Sequence, residues 1–477
     1  MNKIMKIIFV VAVFLFVNGL IEAQSIMWQK TYGDSGEDEG FSVIQTFDGG
    51  YIMSGMNQFS QTTVIKTNQF GEIIWNKSYE GNVYDNIIQT KDSNFILVGF
   101  AQGINGIYSD GYIIKINQEG DLIWWKKYGG NYSDYFHDAL VTYDDKFIIV
   151  GTYTSENFSD VRNMYLLKAD SAGNEIWNRI YDSTGSGFNI DEIQGKGYLL
   201  SGTTEIYVDY NGNSKYSGRA LGINGLNALN NHGFIYFDNK DTNGINAIRI
   251  IRTDSMFNEL SRSWIYKPDR LLFGKKIIKD VNSYIIGGEN ISFQGDEDAY
   301  IVKIDTAGIV VWDSNIPSRF KYNESINSIY KCSDSGFIAI GFSSPFSGNT
   351  DFLAIKTDKY GNTIPVSIEN ISTVKTDDFN LFQNYPNPFN PVTHFEFGIP
   401  ASQGESDLGF VSLKVYDILG KEVAVLVNKK LSPGRYKAEF NGHNFASGVY
   451  FYRLVVSHSN PLESESFMQT KRMVLLK

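Results

Sequence analysis

A ten-residue pattern, K-x-N/D-x-x-G-x-x-x-W, recurs along most of this 477-residue chain. A fixed internal period of this kind constrains a fold more tightly than composition can, because each repeat must be one supersecondary unit packed on its neighbours. The pattern reads KTNQFGEIIW at 66–75, KINQEGDLIW at 115–124, KADSAGNEIW at 168–177 and KIDTAGIVVW at 303–312. A further copy, KTDKYGNTIP, occupies 356–365, and a degenerate one starts at Arg252-Thr253-Asp254 and ends at Trp264. Upstream lies a second shared segment: GYIMSG at Gly50, NFILVG at Asn94, KFIIVG at Lys146, GYLLSG at Gly197, SYIIGG at Ser283 and GFIAIG at Gly336. Two independent alignments therefore count six units.

Within a unit, short β-branched and aromatic runs such as FSVIQT at 41–46 are bounded by Asp, Asn and Gly. That predicts strand, tight turn, strand, with the turns supplied by residues that tolerate positive φ. Four antiparallel strands per unit, spaced every 44 to 53 residues, predict an all-β fold led by a six-bladed β-propeller over residues 24–365. One interval breaks the period. From Gly202 to Gly288 there are 86 residues, which reads as one unit plus an insert at about 203–243 that projects from one face. An eroded seventh unit is the alternative. Pro365 replaces the tryptophan of the last copy, while Trp28-Gln29-Lys30-Thr31-Tyr32 is a spare copy of the tryptophan strand. The spare strand is predicted to complete the last blade and remove an open edge.

Beyond a polar linker at 366–378, the strands VSLKVYD and GVYFYRLVV alternate apolar and polar residues, with Gly420, Gly434 and Gly448 at turns. This predicts an immunoglobulin-like β-sandwich over 379–477. Its motifs are FNLFQNYPNPFNPVTHFEFGIP from Phe379, VSLKVYDILGKEVAVLVNKKL from Val411, FASGVYFYRLVV from Phe445, and TKRMVLLK ending at Lys477. Together they resemble the type A C-terminal sorting domain of the type IX secretion system, which carries proteins across the outer membrane of Bacteroidetes-type bacteria. The resemblance covers about a fifth of the chain. It implies that the type IX machinery is a partner and that Gly448, Tyr450, Lys471, Leu476 and Lys477 carry the sorting signal. It also implies a protein that is secreted or attached to the outer-membrane surface.

The opposite end fits that expectation. Lys3 and Lys6 precede an apolar run at 7–17, and Ile21-Glu22-Ala23 forms a small-residue site before Gln24. This reads as a signal peptide of residues 1–23. The run is shorter than the about 20 residues a spanning helix needs, so no transmembrane segment is expected in the mature protein.

Residues 24–378 carry a net charge of −14 and the tail +2. An acidic body argues against nucleic acid as a partner, since phosphate neutralisation needs clustered Lys and Arg. The repeat is similar to the tryptophan-docking repeat of quinoprotein propellers, which implies tryptophans that tie blades together. Those enzymes are usually eight-bladed, and many use paired neighbouring cysteines. This chain has only Cys332, so no cofactor is expected. The acidic clusters Asp34, Glu37, Asp38, Glu39 and Asp296, Glu297, Asp298 lack EF-hand order and read as solvated loops. The five histidines show no ligand spacing, so no metal is expected either.

No nucleophile elbow, P-loop or zinc-protease helix occurs, and no catalytic residue is assigned. The remaining candidates are the aromatics Tyr207, Tyr210, Tyr216 and Tyr236 in and beside the insert, with Phe234 and Phe237 near them. They are expected to offer a sugar-stacking or protein-binding surface, or else to pack as strand residues on their own blade. The expected function is a non-catalytic binding module for surface glycans, extracellular polysaccharide or proteins. The alternative is an extracellular polysaccharide hydrolase or lyase at the propeller mouth, because paired carboxylates are brought together by a fold and leave no spacing signal.

Overall fold

The computed structural model describes residues 27–476 apart from 34–35, 60, 104–106, 156–161, 183, 194, 218–224, 229–232, 242–245, 317–322, 345–349, 364–367, 373–377, 401–408, 421, 432–433, 443–444 and 458–466. The expected signal peptide therefore lies outside the described residues. Every regular element among those described is a β-strand. One compact unit is built from Trp28–Ser333 and Phe337–Thr363, and the other holds Ile364–Lys477.

In the first unit the strands form seven four-stranded antiparallel sheets. Sheet 1 covers residues 39–79, sheet 2 82–128, sheet 3 135–181, sheet 4 187–217, sheet 5 225–265 and sheet 6 270–316. Sheet 7 takes three strands from 323–357 and its fourth from Trp28–Tyr32, which runs antiparallel to Asp351–Thr357 with Trp28 opposite Lys356. These sheets fit a β-propeller. The first strand of each packs against the first strand of the next, and that of sheet 7 packs against that of sheet 1.

The count of six units is thus corrected to seven sheets, and the insert disappears. Ile206–Val208 and Ser214–Ser217 are the outer strands of sheet 4, while Gly225–Ala228 and Phe234–Asp241 begin sheet 5. The 86-residue interval holds the outer half of sheet 4, all of sheet 5 and the first half of sheet 6, and it is shortened in the outer strands of sheet 4 and the first strand of sheet 5. Sheet 4's copy of the repeat is YVDYNGNSKY at 207–216, which keeps the Asp and Gly but places Tyr where Lys and Trp stand elsewhere.

Each letter of the repeat has a physical cause. The lysine crosses from the third strand to the turn between the first two: Lys66 Nζ lies 2.8 Å from Asp48, Lys115 2.8 Å from Asp92, and Lys303 2.7 Å from Asp280. A lysine as buried as Lys66 is tolerable only with such a partner. The Asn or Asp closes the next turn, as when Asn68 Oδ1 accepts from Phe70 N at 2.9 Å and Glu72 N at 3.0 Å. The tryptophan docks on the following sheet. Trp75 Nε1 donates to Gln118 O at 2.8 Å, and a Cβ on Gly120, whose φ is +77°, would sit 3.0 Å from the Trp75 ring. Trp28 does the same to sheet 1, donating to Gln69 O at 3.1 Å. Between the sheets lie apolar layers such as Ile52, Val64, Phe95, Leu97 and Ile114.

The second unit contains two four-stranded sheets around one core that includes Phe395, Phe397, Val411, Leu413, Tyr452, Leu454 and Met473. One sheet has the order Ile368–Ser372, Gly434–Asn441, Val392–Ile399, Asn380–Leu381. The first of these strands falls inside the segment expected to be a linker. It lies at a sheet edge, where only one side is paired and polar residues cost little, so its composition mimics a linker.

Candidate functional site

The first strand of five sheets carries a β-bulge at the same place. Register jumps between Gly40 and Ser42, Phe136 and Asp138, Gly187 and Asn189, Gly274 and Lys276, and Ile326 and Ser328. The extra residues are Phe41, His137, Phe188, Lys275 and Asn327. Sheet 2 has a wider irregularity, between Asn82 and Asn86. A bulge leaves one residue without an opposite number and re-aims its side chain. All five of these residues line a single open cavity of about 770 Å³, bounded mostly by first strands.

The bulges also account for the glycine that ends the second shared segment. Each bulge presses the carbonyl two residues before it onto the neighbouring strand. A Cβ on Gly55, Gly151, Gly202, Gly288 or Gly341 would collide with the carbonyl of Glu39, Tyr135, Ser186, Phe273 or Ser325. In sheet 5 the described pairing ends with Gly225 opposite Phe237, and Asp238 stands in place of the glycine.

Polar groups at the bulges stitch one sheet to the next. Ser42 Oγ accepts from Ile87 N at 3.2 Å, Asn239 Oδ1 from Gly274 N at 2.8 Å, and Asn327 Nδ2 donates to Gly40 O at 2.9 Å. Asp138, 6% exposed, accepts from Asn86 Nδ2 at 2.6 Å, Ala139 N at 3.0 Å and Ile190 N at 3.0 Å. Its carboxylate is occupied by structural donors from sheets 2, 3 and 4.

The rest of the lining is mixed. The His137 ring stands edge-on to Phe188 with centroids 5.2 Å apart, and Phe188 remains 43% exposed. Lys276 Nζ donates to Asn189 Oδ1 at 3.1 Å and lies 4.0 Å from Asp138, which places its ammonium beside sheets 3 and 4. Lys275 Nζ is 3.5 Å from Glu289. The charged groups of the described lining are Asp138, Asp191, Lys275, Lys276 and Lys279. Such a surface can stack, donate hydrogen bonds and offer positive charge.

Sequence reasoning had not singled out these residues. A signal exists: Phe41, His137, Phe188 and Asn327 each stand 14 residues before the repeat glycine, and Lys275 stands 13 before it. The aromatics named from the sequence are not gathered on one face. Tyr207 lies on the third strand of sheet 4, where its hydroxyl donates to Lys196 O at 3.3 Å. Tyr210 is a turn residue whose hydroxyl donates to Glu192 Oε1 at 3.0 Å and accepts from Gly195 N at 2.9 Å. Tyr216 is opposite Tyr207 in the backbone register, and its side chain lies outside the described set. Tyr236 is 2% exposed in a core with Leu199, Phe234 and Ile251. Tyr207, Tyr210 and Tyr236 thus stand on strands and a turn of two sheets in place of an insert. Among the described residues no three His, Cys, Asp or Glu side chains gather to hold a metal.

In the second unit, Tyr450 is largely buried and its hydroxyl donates to Ala446 O at 2.9 Å. Gly448 lies opposite Leu475, and Lys471 opposite Tyr452. Leu476 N donates to Phe389 O at 3.0 Å while its side chain stays exposed, and Lys477 lies outside the described residues. Residues 383–463 match the family model of the secretion system C-terminal sorting domain. The sorting domain supports export and attachment at the cell surface, or release outside the cell, through the type IX secretion machinery. No curated protein matches the chain. Among the described residues no helix is long and apolar enough to cross a membrane.

Proposed function

We propose that the seven sheets close into a seven-bladed β-propeller, and that the sorting domain delivers it to the cell surface as a non-catalytic binding module. Support for closure comes from the cycle of first-strand contacts and from Trp28, which links sheet 7 to sheet 1 by both strand pairing and docking. On this reading residues 1–23 open the export route, and Gly448, Tyr450, Lys471, Leu476 and Lys477 carry the signal read by the secretion machinery. The two tail sheets are read as an immunoglobulin-like sandwich.

One observation carries the binding function. In an otherwise repetitive scaffold, the bulge position presents Phe, His, Phe, Lys and Asn into one cavity. The bulge frees this position from the demands of the ladder, so its side chains can differ from sheet to sheet as recognition of a ligand calls for. The cavity volume lies within the roughly 300–1,000 Å³ usual for ligand pockets. Surface glycans, extracellular polysaccharide and surface proteins are the partner classes this favours. A glycoside hydrolase would need two carboxylates free for chemistry, and Asp138, one of the two lining aspartates, is held by three donors. The test is an array of glycans and surface proteins probed with the full chain and with Phe188→Ala, followed by incubation with any polysaccharide captured. Retention that depends on Phe188 with no change in polymer length is expected. Shortening of the polymer, or equal capture by the variant, refutes the reading.

A further inference from the structure

We infer that the bulge-lined cavity takes a carboxylate-bearing sugar, of the uronic acid class. This deepens the binding reading above and rests on it. The charge of the cavity runs against the charge of its unit. Residues 24–378 carry −14 overall, yet the first strand of sheet 6, RLLFGKKIIKD, brings three lysines to a lining whose described acids are two aspartates. Asp138, the carboxylate nearest Lys276, is 4.0 Å away and already accepts three hydrogen bonds. That pair sits at the limit of ion-pair distance, and of the three ammonium donors one goes to Asn189, so Lys276 can still donate to an incoming carboxylate. Lys275 has only a 3.5 Å contact to Glu289 and a side chain 39% exposed.

The cation adjoins an aromatic surface. Asn189, which accepts from Lys276, directly follows Phe188, and Phe188 meets His137 edge-on. A pyranose has one apolar C–H face that stacks on an aromatic ring and equatorial hydroxyls that pair with amides. Phe188 offers the ring, and Asn189 and Asn327 border the same cavity. A sugar bearing a carboxylate uses the stacking face, the amides and the ammonium together, whereas a neutral sugar leaves the ammonium unused and a bare anion leaves the ring unused.

The experiment is calorimetric titration of the full chain with an oligouronate, its carboxyl-reduced neutral counterpart, a sulfated neutral oligosaccharide and inorganic phosphate, at low and at high salt. Lys275→Met, Lys276→Met and Phe188→Ala are measured beside the parent, with tryptophan fluorescence melting to certify folding. The expected result is oligouronate binding that weakens with salt, about tenfold or more loss on carboxyl reduction, and a comparable loss in each lysine variant. Phe188→Ala should weaken oligouronate binding without altering its salt dependence. Lys275, the more exposed lysine, keeps the test decisive if Lys276→Met unfolds. Neutral or sulfated sugar bound as tightly as the uronate overturns this inference and leaves the binding module standing. Oligouronate affinity unchanged in both lysine variants places the sugar elsewhere and overturns it too. Failure of every saccharide here and of every probe on the array removes both.

Discussion

Replacing Glu205 with glutamine should stabilise the seven-sheet unit, and should do so more as pH rises. Glu205 precedes the third strand of sheet 4, is fully buried, and among the described residues no other residue hydrogen-bonds either carboxylate oxygen. Burial raises its pKa from 4.5 to about 8. The folded state thus holds this proton more tightly than the unfolded chain does. The stability tied to the neutral form is complete below the unfolded value, declines as pH rises above it, and is fully lost once pH has passed about 8. Between pH 6 and pH 9 the parent should lose about 3 kcal/mol relative to Glu205→Gln, since each pKa unit is worth about 1.4 kcal/mol. Glu324, raised by burial to about 7, and Asp134, raised by burial to about 6, titrate in both proteins and cancel in the difference. Tyr236 of sheet 5, the titratable neighbour whose charged form Glu205 disfavours, stays neutral over this range. All seven tryptophans lie between residues 28 and 312, so urea unfolding followed by tryptophan fluorescence reports this unit alone. A stability gap that stays constant within about 1 kcal/mol from pH 6 to pH 9 would refute the claim that a buried, unpaired acid sits at this position.

Gly151→Ala forces a Cβ onto the Tyr135 carbonyl and should cost about 2–4 kcal/mol in the same urea assay; a neutral result would show that the sheet 3 bulge relaxes freely. Exchanging residues 203–243 for an Asn-Gly turn should abolish cooperative unfolding, because it deletes strands from sheets 4 and 5; a folded product would restore the insert reading. Deleting residues 368–477 should leave the seven-sheet unit folded and cell-associated behind the outer membrane, as judged by protease accessibility of intact cells and by fractionation. Normal surface display of that truncation would remove the tail's role in export.

Legibility in the sequence followed how specific each physical demand is. Where a buried ammonium must meet one carboxylate, only lysine serves, and where an indole must sit on a turn glycine, only that glycine and a large ring serve. Lys66, Gly120 and Trp75 are therefore readable as letters of a repeat. Each alignment missed a different sheet: in sheet 4 Tyr207 and Tyr216 replace the lysine and the tryptophan, and in sheet 5 Asp238 replaces the glycine. The strand Ile368–Ser372 escaped for a different reason: pairing along one edge makes almost no demand on side-chain type.

The cavity residues were hidden by the same logic in reverse. A bulged residue has no cross-strand partner, so the fold leaves its identity free, and Phe41, His137, Phe188, Lys275 and Asn327 look like noise in a column set by a glycine common to their five sheets. The glycine is the fingerprint of the bulge, and the bulge marks where the chain is released from the ladder to point inward. In a repeat of this design the position most variable between sheets, at a fixed offset from the position least variable, is where ligand chemistry has room to be written. That column can be read from sequence alone once the collision between glycine and carbonyl is understood.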